Sequence, residues 1–166
     1  QGTDDNLCLQ SSSLPVNDVH ISNCSFSSVC AAIRIGLKSI GSISDVHISH
    51  CSMKNVWREG IKIECSEGGN ISDINIQDIT MNDVSRPIFI LLNNRFEPDD
   101  LGSSLDLDHI PEIGTMSDII ISDIIASDSD EMRNTHYRFD DDVMGSPKFA
   151  GIRIDAEKNH PIRNLT

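Results

Sequence analysis

Apolar and polar residues alternate along this chain in short bursts, and the bursts recur in nearly the same words. VNDVHISNC begins at Val16, ISDVHISHC at Ile43 and ISDINIQDI at Ile71, steps of 27 and 28 residues. MSDIIISDI follows at Met116, and IRNLT at Ile162 opens a further copy. Within the copies VHI, VHI, INI and III alternate with the two-residue period of a strand. A second burst lies between them: LCL at Leu7, IRI at Ile33, IKI at Ile61, IFI at Ile88 and IRI at Ile152. The Ser, Asn and Asp residues around each burst are turn formers, because their side chains bond to nearby backbone. No stretch carries a helical stripe.

Self-similarity at this period signals stacked units, each unable to bury its apolar face alone. Two or three short strands per 26 to 28 residues predict an all-β fold, a right-handed parallel β-helix. Residues 1–166 then form one solenoid domain of about five to six coils. An antiparallel sandwich would carry hairpin signals such as Asn-Gly, and the chain has none. Two insertions break the rhythm, near 93–115 and 127–147, and the first is acidic and polar. The chain begins almost on a strand and ends inside a repeat phrase. The expectation is therefore a fragment of a longer β-helix, whose remainder would be a partner covering the open ends.

Composition narrows the classes. A formal net charge of −13 speaks against a nucleic-acid surface, which needs a basic patch. No apolar run is long enough for a membrane-spanning helix. Aromatic residues are only 4% of the chain, as suits a narrow interior of stacked β-branched side chains. Five cysteines, an odd number, cannot all pair within the chain. Cys24 and Cys51 share a phrase position, where stacked free thiols are favoured over a disulfide. His20 and His47 also share a position, on the outward side of their strands. Two histidines fall short of a metal ligand set, so no metal and no other cofactor is expected.

Candidate chemistry sits at the start, where Gly2-Thr3-Asp4-Asp5-Asn6-Leu7-Cys8-Leu9 sets two carboxylates before a strand. On these residues, on the ISDVHISHC and ISDINIQDI rungs, and on AIRIG at Ala32 and GIKIE at Gly60, the chain resembles glycoside hydrolase family 28. These are the polygalacturonase-like enzymes of the pectin-lyase-like β-helix class. The resemblance implies a secreted or periplasmic enzyme that hydrolyses a polysaccharide with inversion. Asp4 would be the general acid. Asp5, with a third Asp supplied from upstream, would activate the water. Inversion needs carboxyls roughly 6.5–9.5 Å apart.

Two family motifs are altered. Cys30-Ala31-Ala32 stands where the family has Gly-His-Gly, and Lys62-Ile63-Glu64 where it has Arg-Ile-Lys. Glu64 in place of a cation opposes a galacturonate at that spot, so a neutral or branched glycan is the better fit. If Leu7, Ile33, Ile61 and Ile88 point inward, then Cys8, Arg34, Lys62 and Phe89 form one outward column. Arg34, Lys62 and Glu64 would meet the sugar there, and Phe89 would offer a stacking face. The same residues also fit a structural charge network with the Asp pair. Arg58 and Arg86 are lesser candidates at neighbouring turns. For Asp4 and Asp5 the plainer reading is a turn that caps backbone amides. The alternative function, from another class, is a non-catalytic β-helix that binds glycans or serves as an adhesin or tailspike-like module.

Overall fold

The computed structural model describes residues 2–12, 14–94, 112–129 and 151–166. Among these there is no helix. Nine strands follow in order: β1 (Leu7–Leu9), β2 (Val19–Ser22), β3 (Ser25–Phe26), β4 (Ile33–Ile35), β5 (Ser42–Cys65), β6 (Asn70–Leu92), β7 (Thr115–Ser127), β8 (Ile152–Ala156) and β9 (Arg163–Leu165). They hydrogen-bond in the order β1-β4-β5-β6-β7-β9, with β2 and β3 also on β5 and β8 on β6. Every ladder between them is parallel. The all-β expectation therefore holds, with a parallel sheet in place of hairpins.

The register reproduces the sequence repeat. Val19 pairs with Val46, and Val46 with Ile74, which pairs in turn with Ile119. Leu7, Ile33, Ile61, Ile88 and Ile152 form a second row. Between β6 and β7 and between β6 and β8 more residues intervene, yet the inward apolar residues still pair, Ile74 with Ile119, Ile88 with Ile152 and Ile90 with Ile154. The expected insertions lie at those steps, although Thr115 and Ser127 already belong to β7. Residues 95–111 and 130–150, which hold most of both insertions, lie outside the described residues.

A strand of 24 residues such as β5 would extend about 80 Å if straight. Left-handed residues interrupt it instead. Asp45, His50 and Asn55 in β5 have φ of 54°, 52° and 53°, and Asp73, Asp78 and Asp83 in β6 repeat them at 55°, 54° and 56°. Asp18, Asn23, Asp118, Asp123 and Asn164 occupy equivalent places. Asn and Asp tolerate this region better than other residues with a Cβ, because their short polar side chains bond locally. The corners also explain the core. From Ser42 to Val56 the buried apolar residues of β5 are Ile43, Val46, Ile48, Cys51, Met53 and Val56, spaced alternately three and two apart. Each three-residue gap contains one left-handed residue, which resets the alternation so that both neighbours face inward. Ile71, Ile74, Ile76, Ile79, Met81 and Val84 follow the same rule in β6.

Polar side chains stack along the outside in the same register. Ser25 Oγ lies 2.8 Å from Ser52 Oγ, Thr115 donates to Asn70 at 2.7 Å and Asn164 donates to Asp118 at 2.7 Å. All five cysteines are free, and Cys51 and Cys65 are buried. Burial, with a smaller contribution from the Glu67 charge, pushes the Cys65 thiol up to about 12.

Two measurements test this framework. Asn55 is an exposed corner, so Asn55→Val forces a β-branched residue into the left-handed region. It is expected to cost about 1–2 kcal/mol in urea unfolding, while Asn55→Gly stays near wild type. The Cys65 thiol should lower stability in alkali. Between the ordinary thiol pKa of 9.0 and about 12 the unfolded chain releases a proton that the folded chain keeps. Stability thus falls as pH rises through that window. Relative to Cys65→Ala, the wild type should lose on the order of 1–2 kcal/mol between pH 8 and pH 10.5.

Candidate functional site

The Asp4–Asp5 turn is pinned against the next repeat by backbone and side chain. Gly2 N–H donates to the Ser27 carbonyl at 2.8 Å, and Asn6 and Leu7 N–H donate to Ala31 and Ala32 carbonyls at 3.1 Å. The Ser28 hydroxyl, fully buried, donates to the Asp4 carbonyl and accepts from Cys30 N–H. The two carboxylates diverge from this common base. Asp4 is exposed, and its Oδ1 accepts from the N–H of Asp5 at 2.8 Å. Asp5 turns inward, where Oδ1 accepts from Ala31 N–H at 2.9 Å and Oδ2 lies 2.9 Å from Arg34 Nη1. The side chains of Asp5 and Arg34 are each only 9% exposed. Amide capping is thus present, and for Asp5 an ion pair is added to it.

Cys30 stands beside the pair, with ligand atoms of Asp4, Asp5 and Cys30 all within 4.8 Å of one another. Burial raises the Cys30 thiol pKa, with the hydrogen bond and charge of Asp5 adding to it. Arg34 on Asp5 and Arg58 Nη1 at 3.7 Å from Cys30 Sγ already supply positive charge here. A cation would have to displace them.

The expected column is present. Cys8 pairs with Arg34, Arg34 with Lys62 and Lys62 with Phe89, and Arg153 on β8 continues it. Cys8 is exposed, but Arg34, Lys62 and Phe89 are buried. Lys62 Nζ lies 2.8 Å from Glu64 Oε2, with the two side chains 3% and 7% exposed. Phe89 offers no open face, because Lys62, Arg86 and Arg153 lie over its ring at 5.4, 5.2 and 5.4 Å from the centroid. Arg86 in turn sits 3.0 Å from Glu59, and Arg153 2.6 Å from Asp155. Each cation of the column therefore carries its own carboxylate.

Local backbone explains the arrangement. The β5–β6 ladder slips by one residue between Val56 and Glu59, leaving Trp57 and Arg58 unmatched. Such a bulge re-aims side chains, and here it brings Glu59 opposite Arg86. Ser85 fills the irregularity by donating to the Trp57 carbonyl at 2.6 Å. Gly36, at φ of 113°, passes so close to the Glu64 backbone that any Cβ would collide with it.

Sequence reasoning missed Glu59, which is 1% exposed, and Arg153. The IRI burst at Ile152 held the signal for Arg153. Nothing in the sequence distinguished Glu59 from a solvated turn residue. No family model, curated protein or solved structure matches the chain.

The buried pair has a direct test. Glu64→Gln leaves the Lys62 ammonium buried without a counter-charge and is expected to cost about 3–5 kcal/mol in denaturant unfolding. Replacing both, as Lys62→Met with Glu64→Leu, should recover most of that loss.

Proposed function

We propose that this chain is part of a right-handed parallel β-helix, of about five to six coils within residues 1–166. In the whole protein it would act as an inverting glycoside hydrolase of the polygalacturonase-like kind. The parallel ladders at one-repeat spacing support the winding, since parallel crossovers are right-handed in nearly all proteins. The observation that carries the activity is the unequal setting of two adjacent carboxyls. Asp5 is committed as an acceptor to Arg34 and the Ala31 amide. Asp4 is exposed and able to reach a glycosidic oxygen. Paired carboxyls in different environments are the usual basis for assigning separate roles.

Geometry refines those roles. Oxygens of Asp4 and Asp5 lie within 4.8 Å, short of the roughly 6.5–9.5 Å that an inverting pair leaves for water. Asp4 is the acid in this reading, and the water is held chiefly by a carboxylate outside this sequence. Asp5 positions the turn through Arg34. The substrate class follows from the column above the pair. Lys62 and Arg34 are neutralised by Glu64 and Asp5, and the protein carries a net charge of −13. A polyanion meets repulsion and, among the described residues of the column, no spare cation, so the glycan is neutral. A secreted or periplasmic location accompanies this reading.

A second reading has its own observation. Ala31 stands where the family motif has its histidine, and Arg34, Lys62 and Phe89 are buried rather than presented. These facts favour a β-helix that binds glycans, or serves as a structural module, without cutting them.

The test is reducing-end release by the full-length parent on neutral polysaccharides, polygalacturonate and its fully methyl-esterified form. Release is expected from a neutral substrate and not from polygalacturonate. Asp4→Asn is expected to abolish most turnover while leaving the fold intact. Equal rates in that variant overturn the assignment of Asp4. Silence across the panel with glycan binding retained selects the binding module.

A further inference from the structure

A different face of the sheet holds two histidines in an unusual setting. His20 on β2 and His47 on β5 are direct register partners, with ring centroids 5.0 Å apart and planes inclined by 11°. Each ring is held by the aspartate two residues before it, His20 Nε2 at 3.1 Å from Asp18 Oδ1 and His47 Nε2 at 3.0 Å from Asp45 Oδ1. Both aspartates are left-handed corners, at φ of 55° and 54°, so backbone geometry fixes where the carboxylates stand.

The contact settles the tautomer. An ionised carboxylate only accepts, so Nε2 must carry the hydrogen. In the neutral ring Nδ1 is then the unprotonated nitrogen with a lone pair to give. A carboxylate behind an imidazole is the arrangement that orients metal-ligating histidines. Here it occurs twice, on adjacent strands. The surroundings add charge of the right sign. On the His47 side of the pair an open groove of about 460 Å³ begins at Asp45 and His47 and runs past Asp73, Asn75, Asp118 and Asn164, and among the described residues no Lys or Arg lines it.

We propose that His20 and His47 bind one divalent transition-metal cation of the imidazole-preferring group, Ni²⁺, Cu²⁺ or Zn²⁺. Nδ1 of each ring is a ligand, Asp18 and Asp45 orient the rings, and water completes the coordination. Metal–nitrogen bonds of about 2.0–2.1 Å require the two nitrogens to approach within about 3.3 Å in a tetrahedral site. The rings, 5.0 Å apart and nearly parallel, must tilt toward each other. Their side chains are 67% and 46% exposed, which leaves room for that movement. Hard cations such as Ca²⁺ are disfavoured because the ligand atoms are nitrogen.

The experiment is calorimetric titration of the untagged chain with NiCl₂ at pH 7.5, after its accessible thiols are blocked with N-ethylmaleimide. One ion per chain is expected. His20→Ala and His47→Ala, both at exposed positions, should each weaken binding at least about tenfold while keeping the wild-type circular dichroism. Absence of binding in the wild type overturns the proposal. So does wild-type affinity in either single variant, which would place the ion elsewhere.

Discussion

The arrangement depends on Asp, Asn and His residues held in the left-handed region at five-residue intervals within each long strand. An ordinary L-residue pays about 1–2 kcal/mol there, and Asp and Asn pay less because their side chains bond to nearby backbone. The return is a core. Without Asp45, His50 and Asn55, strict alternation would carry Val46 and Ile48 to the face opposite Ile43 and Cys51. With them, six apolar residues of β5 point one way and meet six of β6 in register. Hydrophobic burial is thus secured by polar residues, one at each corner.

The same ladder dictates what the candidate site can be. Outward residues on β1, β4, β5, β6 and β8 fall in one column because their inward neighbours stack. Once those outward positions are also buried, charges among them must find partners at once. Asp5 with Arg34, Glu64 with Lys62 and Glu59 with Arg86 meet that demand, and the partly exposed Asp155 with Arg153 repeats the pairing at the far end. Buried pairs add little net stability, yet loss of either member is costly. They act as a specification, fixing where each long side chain lies and leaving none of Arg34, Lys62, Arg86 and Arg153 over for a charged ligand.

Much of this was legible in the sequence, and the reasons are specific. A two-residue period shows which side of a strand each residue takes, so Cys8, Arg34, Lys62 and Phe89 are aligned by inspection. Repeat spacing gave the pairing partners, including His20 with His47, and ISDVH and ISDIN marked the corners by their Asp. Burial of the column was not legible, because alternation separates two faces without revealing whether a second layer covers the polar one. Glu59 was hidden by the one-residue slip at Trp57 and Arg58, which no pattern in the sequence announces. Arg153 was obscured by distance, since the residues between Ile88 and Ile152 break the repeat that identifies its row. The Asp pair showed in the letters, but its division into an exposed and an ion-paired member needed the position of Arg34.

The spacing of the ladders also governs how such a chain assembles. Among the described residues no strand pairs with a near neighbour, so the first contact there must close a loop of 26 to 28 residues before any burial repays it. Closure entropy grows only as the logarithm of loop length, about 0.6 kcal/mol per doubling, so the longer steps to β7 and β8 cost little more. Formation is therefore slow to begin and quick to extend, in the manner of a zipper whose teeth are repeats. A mechanical pull on the two ends would meet this order in reverse, releasing the chain in instalments of one repeat.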